Sequence, residues 1–239
     1  MEYTFDKIIY DNIVICQPKK DGFRFGCDSP ILAWFTKAKK KWSIIDIGSG
    51  SGVISALIAA GYGCNITAVE LQQEMYQCLI NTIEASNLKD KITPLLKDVK
   101  ELSYNNYFDA VVCNPPYRHE HSGKVNLSLL EKNARFTYSM SIFDVAKFAK
   151  KGLKHGGRLF FSYDADMLIE GIEACSTYNL EPKRILFLHK NIHEKAKLVF
   201  VEAVLHGGRE LTIEPALYQQ GDLEIRKRYD QIFSKQWKV

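Results

Sequence analysis

Asn114-Pro115-Pro116-Tyr117 is the tetrapeptide whose residue types most directly pose a chemistry. An amino group on an aromatic ring or amide carbon has a delocalised lone pair and is a poor nucleophile. The Asn114 carboxamide oxygen and the Pro115 carbonyl can each accept one of its N–H bonds. That draws the nitrogen toward tetrahedral geometry and aims its lone pair at an electrophile. Pro115 and Pro116 stiffen the loop and fix those acceptors before substrate arrives. Tyr117 adds a flat face on which an extruded base can stack. A proline-rich turn ending a strand would account for the two prolines, but not for the residues on either side of them.

A second motif, Asp46-Ile47-Gly48-Ser49-Gly50-Ser51-Gly52, lies between an apolar run and a helix-length segment. Glycines there allow a tight turn and close approach of a ligand to the backbone. A dinucleotide fingerprint needs GxGxxG, but Val53 stands where its third glycine would fall. Gly48, Gly50 and Gly52 behind Asp46 suit S-adenosylmethionine better: its ammonium group wants an acidic neighbour, and it has no pyrophosphate to cradle. Glu70, closing the next apolar run, is placed to accept both ribose hydroxyls of a nucleoside. Asp98 follows the run after that and is the candidate for the cofactor's adenine amino group, although Asp after a strand is also ordinary turn chemistry.

The elements that must position these residues are readable from periodicity. Apolar runs at Ser43–Ile47, Ile66–Val69, Ile92–Leu96, Phe108–Cys113, Arg158–Tyr163, Ile185–Leu188 and Lys197–Val204 predict strands. Helix-length segments at Gly52–Ala60, Gln72–Ser86, Ser141–Leu153 and Met167–Thr177 alternate with them, which implies βαβ units and a parallel sheet. No helix fits between the last two runs, so they are expected to form an antiparallel pair at one edge. Ahead of this pattern, Lys7–Tyr10 and Ile13–Gln17 read as a hairpin turning at Asp11-Asn12. Ser29-Pro30 reads as the start of a helix running toward Lys40. Residues 1–41 are therefore expected to form an extension packed on a single unit spanning 42–239.

Composition places few limits beyond these. At 239 residues, with 46% hydrophobic and 25% charged, the chain has the usual globular mixture. No apolar run nears the roughly 20 residues of a bilayer span. The acidic start Met1-Glu2-Tyr3-Thr4-Phe5-Asp6 carries no signal-peptide pattern, so a cytoplasmic location is expected. Cys16, Cys27, Cys64, Cys78, Cys113 and Cys175 form no CxxC pair and read as free thiols, with no metal site expected. His119 and His121 lack a placed third ligand and read as a solvated loop. The net charge of +4 is mild, but Lys37 to Lys41, Lys183 to Lys190 and Arg226-Lys227-Arg228 are clustered. These, with Arg118 closest to the chemistry, are candidate phosphate contacts; a solvated helix end or tail is the competing reading.

The chain resembles class I methyltransferases of the NPPY group, and more narrowly the bacterial tRNA1(Val) adenine-37 N6-methyltransferase family. The resemblance rests on Gly22-Phe23-Arg24-Phe25-Gly26-Cys27-Asp28, the glycine turn, the NPPY tetrapeptide, Asn133-Ala134-Arg135, Gly156-Gly157-Arg158, Pro182-Lys183-Arg184 and Glu202 to Gly208. It spans about Tyr3 to Phe233, departing at Phe136-Thr137 and in the charged run Arg226 to Tyr229. It implies a Rossmann-like α/β fold: a seven-stranded, mostly parallel sheet with one antiparallel edge strand and a short N-terminal hairpin and helix. It also implies that the N-terminal segment, with Arg24, Gly26 and Asp28, packs over S-adenosylmethionine, and that a tRNA is the partner. Asn114 and Tyr117 would then handle a flipped adenine. Competing readings are methylation of a protein glutamine at N5, or of another RNA or DNA amino group, and a non-catalytic RNA- or nucleotide-binding protein. Glutamine methyltransferases carry a helical substrate domain before the glycine turn, but only 45 residues precede Asp46 here. A nicotinamide oxidoreductase is disfavoured by the glycine spacing.

Overall fold

The computed structural model describes residues 2–8, 10–19, 25–115 and 140–234. Strands β1 (Tyr3–Ile8) and β2 (Tyr10–Pro18) pair antiparallel as a separate two-stranded sheet. Asp11 and Asn12 lie inside β2, so the reversal comes earlier than their turn chemistry suggests. The alternating Ile13 and Ile15, both fully buried, carry the strand through that point. Helix α3 (Gln73–Ala85) covers the hairpin. The Val14 N–H donates to Ser86 Oγ at 2.9 Å and the Cys16 N–H to Thr82 Oγ1 at 3.0 Å. Hydroxyls on and just beyond the helix thus satisfy backbone donors that an exposed strand edge would leave open.

The main sheet contains β3 (Ser43–Ile47), β4 (Asn65–Glu70), β5 (Ile92–Leu96), β6 (Phe108–Cys113), β7 (Leu153–Asp164), β8 (Leu180–His189) and β9 (Ala196–Leu205). Two short strands, β10 (Thr212–Ile213) and β11 (Leu217–Tyr218), pair with β8. The order is β10-β8-β9-β7-β6-β3-β4-β5. β3, β4, β5, β6 and β7 run parallel. The antiparallel pair stands at the expected end of the sheet, with β9 one place in, between β7 and β8 and antiparallel to both.

Burial on both faces follows from the pattern along each strand. Ile44 packs in one core cluster and Ile45 in the other; Val112 and Val111 divide the same way, as do Phe160 and Phe161. Helices α1 (Asp28–Phe35), α2 (Val53–Tyr62) and α3 supply the first cluster. Helices α4 (Ile142–Gly152) and α5 (Leu168–Thr177) supply the second. Two-sided burial of this kind explains why the strands read as continuous apolar runs. Helix α4 begins with a capping box: Ser141 Oγ accepts from the Asp144 N–H while Asp144 accepts from the Ser141 N–H. A last helix, α6 (Leu223–Ile232), follows β11.

Gly52, the residue before α2, has φ +83°. A Cβ there would lie 2.6 Å from Leu79 Cδ1 of α3. Backbone strain and core clash add, so Gly52→Ala is expected to cost about 2–3 kcal/mol. Urea denaturation checks this; an unchanged midpoint would show that α3 yields without cost.

Candidate active site

β3 and β6 are neighbours in parallel register, with Ile47 opposite Cys113. Gly48 and Asn114 are the next residues along each chain, so the two motifs emerge side by side at the carboxyl ends of adjacent strands. Phe25 and Ser29 of the N-terminal segment, the Gly48–Ser51 turn and Asn114 line one crevice there. This is the place where open α/β sheets bind ligands. Gly48 and Gly50 have φ of +69° and +56°, conformations that side chains rarely adopt.

Asp46 is buried at 1% exposure. Its Oδ2 accepts from Ser55 Oγ at 2.6 Å. Oδ1 of Asp46 and Oγ of Ser49 are buried with no hydrogen-bond partner among the described residues. Burial pushes the Asp46 carboxyl up to about 7; the Ser55 bonds oppose the rise and nearby Glu70 adds to it. Two orphaned polar atoms, one of them carboxylate, suit a ligand with an ammonium group.

Glu70 does more than the sequence shows. It accepts from the Gly50 N–H at 2.8 Å, from Leu71 at 2.9 Å and from Gln72 at 2.8 Å. It thereby ties the glycine turn to the start of α3. A carboxylate offers roughly four lone-pair sites, so these bonds leave capacity for about one ribose hydroxyl rather than two. Asp98 accepts from the Lys100 N–H at 2.9 Å and caps the turn Val99–Glu101, which is the ordinary turn chemistry open to it.

Asn114 is held from two sides. Its Nδ2 donates to Asp28 Oδ2 at 2.7 Å and approaches Ser29 Oγ at 3.4 Å. Its Oδ1 accepts from the Ser162 hydroxyl. Asp28 opens α1, and Ser162 lies in β7 beside β6. The structure thus engages the Asp28 carboxylate with Asn114. Sequence reasoning missed Ser162 altogether; its signal was a single serine within the apolar run Leu159 to Tyr163. Gly26 belongs to the same arrangement, since a Cβ on it would lie 2.6 Å from Asp28 Oδ1.

Arg24, Pro116, Tyr117, Arg118, His119 and His121 lie outside the described residues. Of the basic candidates, Arg228 pairs with Glu214 and the Pro215 carbonyl and stands 5.6 Å from the Trp34 ring. Arg226 pairs with Asp230 at 2.8 Å. Arg184 bonds Glu202 at 2.7 Å and Glu214 at 2.8 Å. Burial alone would raise the Glu214 carboxyl, but Arg184, Lys37 and Arg228 hold it below its ordinary value. Lys227 is exposed. Among the described residues no group of three or more His, Cys, Asp or Glu could hold a metal, and no helix is long and apolar enough to cross a membrane.

The methyltransferase small domain family matches residues 28–167. A Shewanella baltica protein named tRNA1(Val) (adenine(37)-N6)-methyltransferase is 28% identical over 145 residues, covering 59% of this chain. The match spans 58% of that relative's length. Among solved structures, a protein described as a predicted O-methyltransferase from Agrobacterium tumefaciens superposes with a TM-score of 0.63. It is 22% identical and covers 79% of this chain and 85% of its own. M. jannaschii TYW2, solved in complex with AdoMet, superposes with a TM-score of 0.58 at 15% identity, covering 84% and 85% of the two chains.

Proposed function

The chain belongs to the methyltransferase small domain family, and from that premise we propose that it moves a methyl group from S-adenosylmethionine to N6 of an adenine in RNA, with adenine 37 of tRNA1(Val) as the specific substrate. The observation that carries the proposal is Asn114, clamped at the rim of the crevice lined by the glycine turn. The relative's name supports the choice of tRNA.

The cofactor's residues are Asp46 and Ser49 for the amino-acid end, the Gly48–Gly52 backbone, and Glu70 for the ribose. Asp98 is the proposed partner of its adenine. When bound, S-adenosylmethionine supplies an electrophilic methyl on a sulfonium. The protein's part is to hold the acceptor nitrogen. Asn114 Oδ1 and the Pro115 carbonyl accept its N–H bonds, and Pro116 and Tyr117 complete the proposed acceptor loop. Base chemistry needs an unstacked target, which costs least in a single-stranded loop.

Incubation with in vitro transcribed tRNA1(Val), followed by mass spectrometry of its nucleosides, tests the reading. N6-methyladenosine at position 37 is expected. Methyl transfer to a protein glutamine instead would replace this proposal with the amide reading.

The rim contacts proposed for the phosphate backbone are Arg118, Arg226, Lys227 and Arg228. Four such contacts to a single-stranded loop imply that RNA affinity falls about 50-fold between 50 and 200 mM salt. Lys227→Ala should raise KM for tRNA about twofold to fivefold with kcat and Tm unchanged. Arg226→Ala and Arg228→Ala should also lower Tm, because each breaks an internal ion pair. A salt-insensitive KM, or parental KM in Lys227→Ala, would remove this surface and leave the methyltransferase assignment standing.

A further inference from the structure

The geometry points to Asp28 and Ser162 as a pair that fixes which way round the Asn114 carboxamide sits, making both of them positioning residues for the acceptor nitrogen. This rests on the amino methyl transfer proposed above. An Asn amide can rotate by half a turn about its last bond and exchange oxygen for nitrogen with almost no change of shape. Only one orientation presents the acceptor oxygen that the chemistry needs.

The two partners remove that ambiguity in different ways. The Asp28 carboxylate, 6% exposed and 2.7 Å from Nδ2, accepts hydrogen bonds and cannot donate them when ionised. A reversed amide would press its oxygen against that charge. Ser162, fully buried, has a hydroxyl that can donate or accept, so alone it would tolerate either orientation. With Asp28 dictating the nitrogen side, Ser162 donates to Oδ1. The carboxylate also polarises the amide, since an anionic acceptor on Nδ2 pushes electron density toward Oδ1 and strengthens it as an acceptor.

Three separate elements meet here. Asp28 comes from the start of α1, Asn114 from the end of β6 and Ser162 from β7. Gly26 leaves room for the carboxylate. The segment ahead of the glycine turn therefore serves the acceptor side of the reaction, not the cofactor alone.

Asp28→Asn keeps the shape but can offer Asn114 either an oxygen or a nitrogen. Ser162→Ala deletes one buried oxygen. Each should lower kcat about tenfold, with KM for tRNA and the dissociation constant for S-adenosylmethionine within twofold of the parent. Thermal melts confirm folding. A readout independent of turnover is the Asn114 side-chain NH2 correlation in a 15N-labelled sample, assigned by its loss in Asn114→Ala. It should shift and exchange faster with solvent in Asp28→Asn. A raised cofactor dissociation constant with parental kcat would overturn the inference and return Asp28 to the cofactor. Parental kcat in both variants would overturn it as well. A parent protein that methylates no RNA, glutamine or other amino group sinks the proposed function instead; unchanged NH2 signals in Asp28→Asn would then overturn the clamp by themselves.

Discussion

Asn114→Ala is expected to lower kcat by about 100-fold or more, the size of effect seen when a well-placed transition-state hydrogen-bond partner is removed. In the proposed mechanism the carboxamide is one of two acceptors for the conjugated amine, and the Pro115 carbonyl alone would accept only one of its N–H bonds. The cofactor dissociation constant should stay within about twofold, because the glycine turn, Asp46 and Glu70 are untouched. Asn114→Asp separates charge from shape. It keeps an acceptor oxygen but sets a second carboxylate where Nδ2 now meets Asp28 at 2.7 Å, so it should be about as inactive as the alanine variant. Single-turnover methylation of tRNA together with equilibrium binding of the cofactor measures both terms. Parental turnover in Asn114→Ala would end the proposed mechanism.

Asp46→Asn should separate stability from binding. Burial raises the Asp46 carboxyl from an ordinary 3.8 to about 7. Between those values the folded protein holds a proton that the unfolded chain has lost. The stability tied to this group is therefore complete below pH 3.8 and is lost as pH rises through about 7. A shift of that size is on the order of 4 kcal/mol. The neutral asparagine avoids the penalty, so without ligand Asp46→Asn should melt higher than the parent at pH 8, with the gap closing toward pH 5. Cofactor binding should change in the opposite sense. If Asp46 holds the cofactor's ammonium group as proposed, losing its charge removes a charge-assisted hydrogen bond of about 1.5–3 kcal/mol, or roughly 10- to 150-fold in affinity. The parent itself should bind more weakly as pH falls below about 7, where Asp46 takes up its proton, whereas the variant should show a flat profile across the same range. Calorimetric titration from pH 6 to 8 reads this directly. Parental affinity in Asp46→Asn would show that Asp46 only braces Ser55 and α2.

What the sequence alone determined lies where near neighbours decide. Strands β3, β4, β6, β7 and β9 were readable because residues on both of their faces are buried, which leaves an apolar run. The glycine turn was readable because positive φ at Gly48, Gly50 and Gly52 demands a residue without a side chain. The chemistry proposed for the NPPY tetrapeptide was readable because it rests on consecutive residues. The hairpin turn was misplaced because Ile13 and Ile15 gain more by packing on α3 than Asp11-Asn12 gain by turning.

The tertiary structure alone decided the partnerships. Asp28 and Asn114 are 86 residues apart, and Asn114 and Ser162 are 48 apart. They meet only because β6 lies between β3 and β7 while α1 packs beside the same strand ends. Glu70 looked like a ribose acceptor, yet it also binds three backbone N–H groups, since the chain turns back over it at both Gly50 and Gln72. Arg228 looked like a free cation, but the strands placed Glu214 against it. A side chain's type states what it can bond, whereas strand order and burial determine which group stands within reach.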